Sequence, residues 1–243
     1  MTSAIRNLPV VLLPGTGSDE TFVQSVFTGP LALVGARLIA PPPPPGAVLA
    51  EGYLEELDRL ARVHGSLVVG GVSFGAHLAA EWAVANPRRC EGLVCALPAW
   101  NGEPGSAPAA VAARASADLV AAQGVDGALA AVAAGSPAWL VDELSRAWRR
   151  HGDDLVPGLR VAAGRRAPSL TELATVAVPA GVAGCAGDLV HPVAVAREWA
   201  LVLPRGELGV VELADFGRDR EVLGRASLVG FLKGWFGSAA GTV

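Results

Sequence analysis

Charge is scarce in this 243-residue chain: Asp, Glu, Lys and Arg together make up 17%, and the formal net charge is −4. No stretch is dense in Lys or Arg, which excludes the electrostatic footprint of a nucleic-acid-binding protein. Cysteine is scarce as well. Cys90, Cys95 and Cys185 are odd in number and lack metal-ligand spacing, which excludes a disulfide framework and a cysteine-held metal. Cys95 and Cys185 lie in apolar runs and read as small buried hydrophobes. No window reaches ~18 uncharged apolar residues, so no transmembrane helix is expected. Met1–Pro14 carries one Arg, a short apolar run and no small-residue cleavage site. No signal peptide is therefore expected, and a cytoplasmic location follows as the default. The expected cofactor and metal content is none, and the expected partner is a small molecule. Finally, the four histidines are His64, His77, His151 and His191, and none follows His191.

What is abundant is apolar surface. Hydrophobic residues make up 51% of the chain, enough for a packed globule, and the length suits one domain or one domain with an insertion. A chain of this size buries about 70–75% of its extended surface and needs neither disulfide nor metal for stability.

Short apolar runs at 10–13, 36–40, 66–72 and 92–97 have the length and composition of buried parallel strands. Helical patterns at 20–34, 47–63 and 76–86 separate them, and two later runs, 178–185 and 209–213, precede a closing helix near 221–235. Strand and helix in alternation predict an α/β fold with a parallel sheet and helices on both faces. From Glu103 to Val176 the rhythm breaks: 108–123, 125–134, 138–151 and 155–165 read as successive helices with no strand between them. A helical insertion of this kind lies outside the sheet, and its natural place is over the C-terminal ends of the strands, as a lid. The alternative is an extra helical layer remote from the site. The expected division is a core of 1–102 and 177–243 with a cap of 103–176. The proline run Pro41–Pro45 reads as a stiff extended spacer between strand and helix.

The most informative stretch is Leu67–Ala80, where an apolar run enters Gly71-Val72-Ser73-Phe74-Gly75 and an Ala-rich helical pattern leaves it. Strand, sharp turn and helix around G-x-S-x-G is the context of a nucleophile elbow, with Ser73 exposed at a helix N-terminus that favours developing negative charge. Gly71 and Gly75 supply the bare backbone that such a turn demands.

With Val10–Gly17, this elbow, the helical insertion and Gly187-Asp188-Leu189-Val190-His191-Pro192, the chain resembles the α/β-hydrolase family over nearly its whole length. The resemblance implies an α/β-hydrolase fold with a serine nucleophile at Ser73 and an acid at Asp188. It implies oxyanion donors at the backbone of Thr16, within Pro14-Gly15-Thr16-Gly17, and of Phe74. It also implies a histidine after the last strand, where Leu213–Arg220 stands instead. Arg218 there stays protonated at any working pH and cannot accept a serine proton. His191, three residues beyond Asp188, is the remaining candidate for the base. His77, one turn along the helix from Ser73, is expected to point away from the mouth as a structural histidine, and His64 and His151 read as helix-terminal.

Two readings follow. One is a hydrolase of a small carboxylic ester or thioester, with Ser73, Asp188 and His191 as the catalytic set. The other is a degraded relative that keeps its pocket for binding, with Arg218 as a fixed cation for a carboxylate ligand. A cofactor-free lyase or peroxidase-like reaction is a third possibility that no residue favours. Trp139 and Trp148 suit either an apolar pocket roof or packing among the cap helices. Trp100 and Asn101 are placed near the mouth or in core packing and turn formation.

Overall fold

The computed structural model describes residue 5 and residues 7–237. The sheet elements are β1 (Pro9–Leu13), β2 (Arg37–Ile39), β3 (Leu67–Val72), β4 (Cys90–Ala96), β5 (Ala180–Ala186) and β6 (Gly206–Glu212). All neighbours pair in parallel, in the order β2-β1-β3-β4-β5-β6. Each predicted strand is present with ends shifted by a few residues. The largest shift is in β6, which starts at Gly206 rather than 209. β6 forms the edge of the sheet, and Leu208 and Val210 on it are exposed. The apolar run misses the first residues of the strand because the charged Glu207 interrupts it there.

Strand periodicity builds two cores. Val11, Leu13, Val69, Leu93 and Cys95 face one side, with α2 (Leu49–His64), α3 (Phe74–Ala85) and α8 (Val193–Val202) packed on them. Val10, Leu12, Val68, Val94 and Ala96 face the other, under α1 (Glu20–Leu33) and α10 (Glu221–Gly237). Alternate residues point to opposite faces, so strands apolar at every position bury both faces at once. Cys95 and Cys185 lie among these side chains, reduced and buried. Burial raises their thiols, Cys185 to about 11, so neither is a reactive thiolate at neutral pH.

Between β4 and β5 the described chain is helical: α4 (Pro108–Ala133), α5 (Ala138–His151), α6 (Leu155–Gly164) and the short α7 (Leu170–Leu173). Gly124, at φ 72°, breaks α4 where the sequence predicts a boundary. Leu129, Trp148, Leu155 and Leu159 give this segment a small core of its own. It touches the sheet domain beside Gly17, just past the C-terminal end of β1: a Cβ on that residue would meet Trp148 at 3.0 Å and Leu159 at 3.4 Å. None of the described helices is long and apolar enough to cross a membrane.

Candidate active site

The strand order reverses its direction of growth between β1 and β3. β1 continues to β2 on one side and β3 to β4 on the other, so the loops leaving β1 and β3 diverge at their C-terminal ends, the place where open α/β sheets bind ligands. Ser73 leaves β3 at that point. Its backbone sits at φ 53°, ψ −114°, a conformation L-residues rarely adopt, and its N–H is held by the Ala96 carbonyl at 2.8 Å. The flanking glycines are obligatory. A Cβ on Gly71 would lie 2.3 Å, and one on Gly75 2.2 Å, from the Leu13 carbonyl oxygen on the neighbouring strand. Gly15, in the loop after β1, passes directly over the elbow: a Cβ there would stand 3.5 Å from the Ser73 Cβ. Among the described residues, the Thr16 N–H that follows donates to no protein acceptor. Phe74 opens α3, so its N–H has no carbonyl four residues earlier in the helix.

Asp188 and His191 come from the turn between β5 and α8. Asp188 Oδ1 accepts the N–H groups of Val190 at 2.8 Å and His191 at 3.1 Å, fixing the turn. Its Oδ2 lies 2.8 Å from His191 Nδ1, and His191 Nε2 lies 2.9 Å from Ser73 Oγ. A carboxylate only accepts, so Nδ1 carries the ring proton and donates it, leaving the Nε2 lone pair to receive the Ser73 hydroxyl. Burial alone would raise the Asp188 carboxyl. The His191 ring and the two backbone donors outweigh it and hold the group below the usual carboxylate range. Ser73, at 8% exposure, is nearly closed off from solvent.

After β6, where the resemblance implies a histidine loop, the chain instead forms a helix, α9 (Leu213–Arg218). Phe216 packs edge-on against Phe22 of α1 and Trp139 of α5, and the Arg220 guanidinium stacks 4.1 Å over the Trp139 ring. Arg220 also donates to the carbonyls of Phe216 and Gly217. Trp139 thus ties α5 to this aromatic and cationic plug, and Trp148 packs within the helical segment and on Gly17. Arg218 corrects the carboxylate-binding expectation. It is paired with Asp215 and solvent-exposed, in a surface cleft along β6 with Val210 and Val222. Neither Ser73 nor His191 lines that cleft, so Arg218 is not an available cation beside the serine.

The other histidines are occupied elsewhere. His64 ends α2 next to Arg37, and the His151 ring donates from Nε2 to the Ser18 carbonyl at 2.9 Å. His77 is buried beneath the loop after β4, where its Nε2 accepts the Ala99 N–H at 2.9 Å and Trp100 packs edge-on at 4.5 Å. Asn101, placed by the sequence either near the mouth or in packing and turn formation, accepts the Trp199 indole N–H and donates to Glu198 at 2.6 Å.

Burial, with a smaller contribution from His191, pushes the His77 ring down to about 3. It therefore stays neutral in the fold while an unfolded chain protonates it near 6.5. Its folded value lies below its unfolded one, so between pH 6.5 and 3 the unfolded state binds more protons and stability falls as pH falls. Urea unfolding of wild type between pH 6 and 4 should lose about 1.4 kcal/mol per pH unit more than His77→Gln does. Parallel pH dependences would show that the ring is not desolvated.

Missing from the sequence reading was the polar contact between the helical segment and the loop after β1. Arg146 of α5 donates to both carboxylate oxygens of Asp19, at 2.5 and 2.7 Å. Asp19 itself was detectable as an N-cap, a short acid before a helical pattern, and it accepts from the Thr21 and Phe22 N–H groups. No local signal reveals its partner 127 residues away.

No family model matches the chain, and no curated protein is similar to it in sequence. Solved structures are similar in fold. A thermophilic esterase from Thermogutta terrifontis is 18% identical, with 96% of this chain and 90% of that one covered at a TM-score of 0.71. A carboxylesterase of the thaumarchaeon Nitrososphaera gargenis is 15% identical over 98% and 93%, TM-score 0.74. The enol-lactonase from Burkholderia xenovorans LB400 is 18% identical over 94% and 92%, TM-score 0.68. With its parallel sheet flanked by helices, the chain has the α/β-hydrolase fold.

Proposed function

We propose that the protein hydrolyses small carboxylic esters or thioesters with Ser73 as nucleophile, His191 as base and acid, and Asp188 as the group that orients the imidazole. The observation that carries this reading is the unbroken chain of contacts Ser73 Oγ–His191 Nε2 and His191 Nδ1–Asp188, at 2.9 and 2.8 Å. Hydrogen-bonded nucleophile, base and orienting group are the geometric signature of an activated serine.

As Ser73 Oγ bonds to the substrate carbonyl carbon, its proton passes to His191 Nε2. The carbonyl oxygen becomes an oxyanion between the N–H groups of Thr16 and Phe74, each worth about 3–4 kcal/mol by analogy with similar donors. Asp188 stabilises the imidazolium. The tetrahedral intermediate collapses, the bond to the leaving alkoxide or thiolate breaks, and His191 returns the proton to it. Water then attacks the acyl-serine with His191 again accepting a proton, and Ser73 is restored. In this reading the helical segment 103–176 is the lid, and its Trp148 and Leu159 beside Gly17 support apolar surroundings that strengthen each charge interaction.

The test is a fluorophosphonate probe. Wild type should form one covalent adduct, located at Ser73 by peptide mass spectrometry, and Ser73→Ala should form none. An unlabelled wild type, under conditions that label a control hydrolase, would refute the reading.

A further inference from the structure

We infer that the last two turns of α5 clamp the loop carrying the Thr16 N–H, and that Arg146 is a positioning residue for the oxyanion site. This rests on the reading of Thr16 as an oxyanion donor. Four side chains of α5 converge on the segment Gly15–Glu20. Arg146 grips Asp19 with both terminal nitrogens, and Arg150, one turn on, reaches the same carboxylate at 3.0 Å and Glu20 at 2.6 Å. His151 donates to the Ser18 carbonyl. Trp148 lies against Gly17, which takes φ 66° and where a Cβ would stand a tight 3.0 Å from the indole nitrogen.

Asp19 makes this a clamp rather than a surface ion pair. It is only 1% exposed, and the same carboxylate caps α1 through the Thr21 and Phe22 N–H groups. Exposed pairs are worth little because water competes and long side chains lose freedom. Here the acid is withdrawn from water and the arginine engages it in two-pronged geometry, which fixes direction as well as distance. Glu143 braces Arg146 from the preceding turn of the same helix. The Ser18 N–H bonds to the Gly15 carbonyl at 3.1 Å, so the Gly15–Ser18 turn, with Thr16 inside it, moves as one piece with Asp19. Loosening Asp19 therefore misdirects the Thr16 N–H above Ser73 without touching the Ser73–His191–Asp188 chain.

The experiment compares Arg146→Gln, Arg146→Lys and, as a control on the same helix, Arg149→Gln, whose residue pairs with exposed Asp126 instead. Two readouts are needed: steady-state hydrolysis of p-nitrophenyl acetate and backbone hydrogen exchange over residues 14–20. Removing an oxyanion donor outright costs about 10²–10³ in kcat, so misplacing one should lower kcat about 10- to 100-fold in R146Q. KM should stay within about threefold, exchange over 14–20 should rise, R146K should recover part of the loss, and R149Q should match wild type. Should R146Q fail to fold, R146K carries the same comparison with a smaller loss. A kcat that holds while exchange rises would overturn the inference, as would unchanged exchange. A wild type inert to ester and phosphonate would refute the hydrolase reading and leave the clamp to be judged by exchange alone.

Discussion

Replacing His191 with alanine should lower kcat/KM for ester hydrolysis by about 10⁴–10⁶, the range seen when a serine hydrolase loses its base. Nothing else in the described site can take over. The neighbouring imidazole, His77, has its Nε2 lone pair engaged by the Ala99 N–H and is fully buried. His64 and His151 are held at Arg37 and at the Ser18 carbonyl, and Arg218 is exposed, paired and permanently protonated. Residual turnover should come from the oxyanion donors and binding alone. Steady-state kinetics check this, with a thermal melt to show that the variant stays folded. A loss below about tenfold would mean that the proton goes elsewhere and would sink the assignment of His191.

Asp188→Asn should cost about 10³–10⁴ in kcat while leaving KM within a few-fold. The carboxylate selects a single imidazole tautomer because it only accepts: Nδ1 must carry the proton and Nε2 must be free. An amide can present its NH₂ instead, which turns Nδ1 into the acceptor and puts a proton on Nε2, facing a serine hydroxyl it can no longer deprotonate. The turn should survive, since the amide oxygen can still accept the Val190 and His191 N–H groups that Asp188 Oδ1 holds. Kinetics beside a crystal structure of the variant separate the two effects. An intact turn with near-normal kcat would remove Asp188 from the mechanism. The carboxyl is depressed in the fold, so its contribution to stability is complete above the unfolded value of about 3.9 and is lost as pH falls through its folded value. The variant should therefore be flatter than wild type only in that acid range.

Legibility was uneven, for physical reasons. Strands apolar at every position, such as Leu67–Val69, announce themselves because both faces of a covered parallel sheet are buried. The elbow is equally legible, since only bare residues fit within 2.3 Å of the Leu13 carbonyl. The fate of the chain after β6 was not. Leu213–Arg218 is short and polar enough to pass for a loop, and it becomes a helix because Phe216 finds Phe22 and Trp139 to pack against. The same holds for Asp19: its capping role is local and readable, but its grip on Arg146 depends on how α5 docks.

Local pattern thus sufficed for the fold class, for Ser73 as the candidate nucleophile and for His191 as the remaining candidate base, because periodicity, bare glycines and the limited chemistry of side chains act within a few residues. The contact His191 makes with Ser73, the removal of Arg218 from the site and the clamp on the loop after β1 were decided by the tertiary structure alone. The Ser73–His191 and Asp19–Arg146 contacts span 118 and 127 residues of chain, the place of Arg218 depends on how the helix after β6 packs, and only the His191–Asp188 pair, three residues apart, is local. No residue type or spacing encodes such distances until the sheet and its helices have packed.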